Sequence, residues 1–192
     1  MGFFIRNTIM ISSRTSKKLT FKAQTLATGM ALVGAVLLPQ LIHVLGKALG
    51  VGTALGGALL PMHLPIILAG MMAGPFVGGI AGVFAPLLSY ALTGMPYINS
   101  LPFMMVEVCF YGVVAGLIKN VNMPLMLKVL LAQIGGRAMR AVAVAIAVYG
   151  LGFGGTSLMS LLISIPEGIL GLALQWAVIP VVVYAVDRKA KE

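Results

Sequence analysis

The sequence predicts an all-α membrane protein with six transmembrane helices and cytoplasmic N- and C-termini. Three observations predict it. Of the 192 residues, 60% are hydrophobic and only 9% are charged, where a soluble domain carries roughly 25% charged residues. The alternation of apolar and polar residues that marks a closed strand barrel is missing, so helices are left to satisfy the backbone in lipid. The basic residues are also sorted by side. Arg6, Arg14, Lys17, Lys18, Lys22, Lys119, Lys128, Arg188, Lys189 and Lys191 fall on one side of the predicted topology, and Lys47 alone falls on the other. Under the positive-inside rule the crowded side is cytoplasmic. The net charge of +9 thus reads as orientation in a bilayer, and no nucleic-acid partner is expected. The single cysteine, Cys109, allows no internal disulfide.

Residues 1–21 read as a cytoplasmic arm, since they lack the long apolar core of a cleavable signal. Residues 22–186 form one six-helix membrane domain, and 187–192 form a polar cytoplasmic tail. Span one covers 22–46, with Pro39 expected to kink it. Within it Ala23, Ala27, Ala31 and Ala35 recur every four residues, a smooth stripe on one face that suits close helix contact. Residues 47–62 are glycine-rich and read as a loop or re-entrant segment.

The run from Pro61 to Pro96 contains no Lys, Arg, Asp or Glu. It is too long for one crossing, since about 20 apolar residues span the hydrocarbon core. Gly74-Pro75 is its one central break, so it reads as a hairpin of span two (64–74) and span three (76–93). Span two is short. Either the loop before it dips into the bilayer, or its helix begins earlier and tolerates Pro61 and Pro65. A turn follows at 94–101, with Gly94, Pro96 and Asn99. Span four covers 102–118, a polar turn holds Lys119, Asn120 and Asn122, and span five covers 125–149. A loop at 150–163 leads to span six, 164–186. Ser164 and Glu167 stand in a capping-box arrangement around Pro166 at its start.

Charges at bilayer depth are costly and mark function or pairing. Arg137 and Arg140 share a face of span five, with Gln133 one turn earlier. Glu107 lies in span four with Tyr111 one turn further on. Glu167 opens span six, and Gln175 and Trp176 lie deeper in it. A rise of about 1.5 Å per residue puts Glu107 about 9 Å, Arg140 about 14 Å and Arg137 about 18 Å below the outer ends of their spans. These depths suggest a pocket open to the outside. In one reading the acids and arginines neutralise each other. In the other, an arginine fork holds a ligand carboxylate or phosphate, and His63 and Asn99 close the pocket. The candidate ligand residues are therefore Arg137, Arg140, Glu107, His63, Asn99, Gln133, Tyr111 and Glu167.

No enzyme is expected. There is no H-E-x-x-H, no G-x-S-x-G with a histidine partner in the membrane, and no Walker A lysine for ATP. Two histidines and one cysteine, far apart in the chain, argue against a metal site, and no cofactor is implied.

The run LPMHLPIILAGMMAGP…G…APLLSYALTGMP…LPFMMVEVCFYGVVAGL, together with six spans and the alanine stripe, resembles the S components of energy-coupling factor (ECF) transporters. The resemblance covers most of the chain and is most specific over 61–117. It implies a subunit that captures a vitamin or related micronutrient from outside, docks on a membrane T component, and topples to release its cargo inward. Two cytoplasmic ATPases drive that cycle. It further implies that Ala23, Ala27, Ala31 and Ala35 form the docking face and that the loops at 47–62, 94–101 and 150–163 gate the pocket. The N-terminal Met-His site of cobalt and nickel members is absent from Met1-Gly2-Phe3, so no metal substrate is expected. Two intramembrane arginines favour an organic molecule with an anionic group. Two other readings stand beside this one: a self-contained secondary transporter with Glu107 as coupling carboxylate, and a structural subunit in which Arg137 and Glu107 merely pair.

Overall fold

The computed structural model describes residues 20–52, 54–157, 159, 166 and 168–189. Most of the expected N-terminal arm, the Ser164 and Glu167 cap and the last three residues of the tail lie outside them. Among the described residues all regular structure is helical. The helices are α1 (Phe21–Ala48), α2 (Ala54–Leu59), α3 (His63–Ala73), α4 (Pro75–Thr93), α5 (Leu101–Leu117), α6 (Leu125–Ala145) and α7 (Ile169–Lys189). A π-helical turn over Ile146–Gly150 extends α6.

Among the described residues five stretches are long and apolar enough to cross a membrane: Phe21–Ala48, Ala54–Ala73, Pro75–Thr93, Leu125–Gly150 and Ile169–Val186. The sixth expected span, α5, is a shorter apolar helix of 17 residues. Its length of about 26 Å falls a little under the ~30 Å hydrocarbon core.

Of the two sequence readings of the second span, the structure takes the one in which its helix begins before Pro61 and not the one in which 47–62 is a loop that dips into the bilayer. The structure carries helix α2 through Ala54–Leu59 and joins it to α3 by a break at residues 60–62. The prolines explain the break. A residue before proline is disfavoured in the helical region, and Leu60 turns to φ +47°. Pro65 falls in the first turn of α3, where its missing N–H goes unneeded. Between α3 and α4, Gly74 adopts φ +108° and Pro75 opens α4, which is the hairpin turn the sequence predicts.

Helix α5 is the centre of the bundle and packs against α3, α4 and α6. Glycine allows this. A Cβ at Gly78 of α4 would stand 2.6 Å from the Gly112 carbonyl oxygen of α5, and one at Gly82 would stand 2.5 Å from the Val108 carbonyl oxygen. The two backbones touch, as small residues permit in membranes. On one side of α5, the core joins Ala31 and Ala35 of α1, Ile66 and Ala69 of α3, and Val77, Ala81 and Ala85 of α4. On the other, Tyr111 and Ala115 pack with Val129 and Ala132 of α6 and Ile179 of α7.

The alanine stripe is thus redirected. Ala31 is 7% exposed and Ala35 is fully buried, so both face α3 and α4 rather than an outside surface. Ala23 and Ala27 are half-buried. The open face of α1 is instead the large apolar one, including Leu26, Met30, Val33, Leu37 and Leu41.

Gly112→Val drives a branched side chain into the α4 backbone, and overpacking of this kind costs about 1–3 kcal/mol or more. Gly29→Val serves as the control, since a Cβ there meets nothing within 4 Å. Thermal unfolding of the purified chain in detergent is expected to show a clearly lowered midpoint for the first variant and little change for the second.

Candidate functional site

Three connections gather at one end of the bundle. The region around α2 shares a cavity with the α4–α5 turn, through Gly56, Leu60 and Pro96. The α4–α5 turn meets the segment after α6, where Asn99 Cγ would be 3.5 Å from a Cβ on Gly155. Phe103 and Phe153 join the same contact, with ring centroids 6.1 Å apart. The opposite end holds the Gly74-Pro75 turn against Gly116 and the α5–α6 turn. There Lys128 Nζ donates to the Lys119 carbonyl at 2.6 Å.

The charged residues meet inside, toward the loop end. Arg140 Nη1 donates to Glu107 Oε2 at 2.7 Å. Tyr111 Oη donates to Glu107 Oε1 at 2.9 Å. Glu107 is 2% exposed and Tyr111 1%, so both carboxylate oxygens are served in a site water scarcely reaches. His63 stacks edgewise on Tyr111, with ring centroids 4.9 Å apart. Its Nδ1 lies 3.3 Å from the Leu60 carbonyl oxygen. The depth estimates, which put Glu107 and Arg140 within about 5 Å of each other below the outer ends of their spans, fit this pair.

A second network, uncharged, ties α6 to α7. Gln133 Nε2 donates to Gln175 Oε1 at 3.0 Å, and Trp176 Nε1 donates to Gln133 Oε1 at 2.9 Å. Gln175 Nε2 donates to the Leu60 carbonyl at 3.4 Å. The carbonyl freed by the break in the second span thus becomes the acceptor for α7 and for His63. Gln133, Gln175 and Trp176 were singled out along the sequence; the role of Leu60 was not, because a backbone carbonyl leaves no residue-type signature.

Arg137 stands one turn before Arg140. Its Nη2 would be 2.9 Å from a Cβ on Gly168, so the guanidinium lies against the start of α7. Its Nε and that of Arg140 are buried without a partner among the described residues. Glu167, the expected acidic neighbour, lies outside those residues.

Two cavities flank the first turns of α5. One, of about 420 Å³, is polar: Arg140, Ser100, Thr156 and Ser157 line it, with Phe103 at its edge. The other, of about 250 Å³, lies between α1, α2, α3, α4 and α5 and is lined by His43, Gly56, His63, Ser89 and Met104, among others. The expected residues therefore divide. Arg140 lines the polar recess, Asn99 lies against Gly155 on its wall, Glu107 and Tyr111 stand behind it, and His63 lines the other cavity. Gln133 belongs to the α6–α7 network. Ser100, Thr156, Ser157 and His43 went unmarked, since lone hydroxyls and a lone histidine in loops and helix ends carry little pattern. The two histidines, far apart in the chain, line one cavity. Among the described residues no group of three His, Cys, Asp or Glu could hold a metal ion.

Residues 24–183 match the family model for the ECF transporter, substrate-specific component. The chain belongs to this family. No curated protein and no solved structure matches it. An ECF S component is the substrate-binding subunit of a transporter and not an enzyme. Members work with a T component and ATPases. With its apolar helices, this S component is a multi-pass membrane protein.

Glu107 is buried while the Arg140 side chain is 25% exposed, so removing Arg140 strands a buried carboxylate at a cost of up to about 3 kcal/mol, the low end of the range for a fully buried pair. Arg140→Ala is therefore expected to lower the S component's unfolding midpoint sharply. Adding Glu107→Gln is expected to restore most of the loss. Thermal unfolding of the three proteins in one detergent checks both.

Proposed function

We propose that this S component captures a vitamin or related micronutrient carrying an anionic group, and that the Arg140 recess holds that group. The observation that carries the reading is an intramembrane arginine on the wall of a polar recess of about 420 Å³, beside Ser100, Thr156 and Ser157. An arginine fork suits a carboxylate or phosphate. Glu107 takes one Nη of Arg140 and holds the guanidinium in place. Asn99 and the loops at 94–101 and 150–157 close the recess, and Arg137, Tyr111, Gln133 and His63 support it from below and behind; Glu167 and the rest of the 150–163 loop lie outside the described residues, apart from Met159.

The sorted basic residues favour cytoplasmic termini in the cell membrane. The recess then opens outward, and cargo passes inward when the S component docks on a T component driven by two cytoplasmic ATPases. Docking falls on α1. In this conformation the share of the alanine stripe left for a partner is Ala23 and Ala27, with Ala31 and Ala35 covered by α3 and α4.

Mass spectrometry of small molecules retained by the purified chain tests the reading. The wild-type chain is expected to retain an anionic solute. Arg137→Ala and Arg140→Lys are each expected to reduce that retention at least about tenfold, the equivalent of 1.4 kcal/mol. Arg140→Lys keeps the charge opposite Glu107 and removes only the fork. Unchanged retention in both variants would overturn the site. Uptake by the lone chain under a proton gradient would overturn the dependence on partners.

A further inference from the structure

A carboxylate and a guanidinium often meet fork to fork, through two parallel N–H···O bonds. Glu107 and Arg140 do not. Arg140 Nη1 donates to Glu107 Oε2 at 2.7 Å, while Glu107 Oε1 accepts from the Tyr111 hydroxyl at 2.9 Å. We propose that Tyr111 is a positioning residue for the bound anion: by occupying Oε1 it limits Glu107 to one arm of the Arg140 guanidinium and leaves the other arm to the recess. The inference rests on the recess reading and adds what keeps its arginine open.

The surroundings enforce this division. Glu107 is 2% exposed, so an oxygen that loses its donor cannot turn to water and must find a donor inside the protein. The Tyr111 ring is fixed in place. It is buried, it rests edgewise on His63, and it fills the space over Gly136, where a Cβ would run into it. Its hydroxyl is therefore held at Oε1. Arg140 lines the recess, and its side chain is 25% exposed. Its Nε is buried and out of a ligand's reach, so the donors left for an anion are on the two Nη groups. A Glu107 that took both would cancel the charge and occupy the fork that an anion needs. With Tyr111 on Oε1, Glu107 still neutralises Arg140 enough to keep it at this depth, yet takes only one arm.

The test uses the full chain in phosphatidylcholine nanodiscs, labelled with ¹⁵N-arginine, with inorganic phosphate as the probe. Arg140→Lys identifies the Arg140 side-chain signals. Phosphate is expected to shift them in a saturable way in the wild-type chain. Tyr111→Phe keeps the ring and removes the hydroxyl, so Oε1 turns to the second Nη. The apparent Kd for phosphate is then expected to rise at least about tenfold, the worth of one charge-assisted hydrogen bond. Adding Glu107→Gln is expected to return the Kd to the wild-type value or below, since an amide presents one oxygen and no charge to Arg140. A merely structural Tyr111 gives no such rescue. An unchanged Kd in Tyr111→Phe, as when His63 takes the freed oxygen, would overturn the proposal. So would a raised Kd that Glu107→Gln does not restore. If Tyr111→Phe alone does not fold, the comparison is made in the Glu107→Gln background. There Tyr111→Phe is expected to leave the Kd unchanged, and a weaker affinity would overturn the proposal by showing that Tyr111 acts on the anion directly. No saturable shift of Arg140 in the wild-type chain would sink the recess reading itself, whereas a wild-type response that Tyr111→Phe leaves intact sinks this inference alone.

Discussion

A carboxylate in the middle of an apolar bundle has no water to carry its charge, and Glu107 is nearly sealed from solvent. Its two oxygens must be served by the chain itself, and they are, one by Arg140 and one by Tyr111. That requirement couples α5 to α6 more firmly than apolar packing could in lipid, where tails are as apolar as side chains. It also sets where α5 must sit along α6. Gly136 leaves the space that the Tyr111 ring occupies. On the other face of α5, glycine lets α4 come to backbone contact. The bundle is therefore assembled around one helix, held by charge on one side and by close backbone approach on the other.

The consequence for binding is that α5 is a partition. Its first turns separate a polar recess at Arg140 from a mostly apolar cavity at His43 and His63. The break at residues 60–62 serves both sides. It frees a carbonyl that receives Gln175 from α7 and lies against His63, and it turns α2 over the second cavity. A helix interrupted by prolines would leave backbone groups bare in hydrocarbon, and such interruptions persist where protein groups or a cavity receive them. Here buried amides and an imidazole do so.

Much of the fold was legible along the chain because its signals are local. Apolar length marked the spans, and Gly74-Pro75 marked the hairpin turn. The charged residues of the core stood out because charge in lipid is rare. Their pairing was half legible: helix rise set Glu107 and Arg140 at similar depths, yet rise says nothing about which faces turn toward each other. The alanine stripe shows the same limit. Its periodicity was plain, but a smooth face packs equally well inside a chain or outside it, and α3 and α4 cover its second half. Likewise Pro61 and Pro65 announced an interruption without telling whether a helix stood before it.

What the sequence alone determined is class and membership: a multi-span helical membrane chain, free of enzyme motifs, in the family of ECF substrate-specific components. Composition and span length suffice for that, since lipid allows so few backbone solutions. What only the tertiary structure decided is adjacency. It paired Arg140 with Glu107, brought His43 and His63 to one cavity though they lie in separate helices, and gave the Leu60 carbonyl its partners. Those contacts depend on the rotation and register of each helix against its neighbours, which no residue carries by itself.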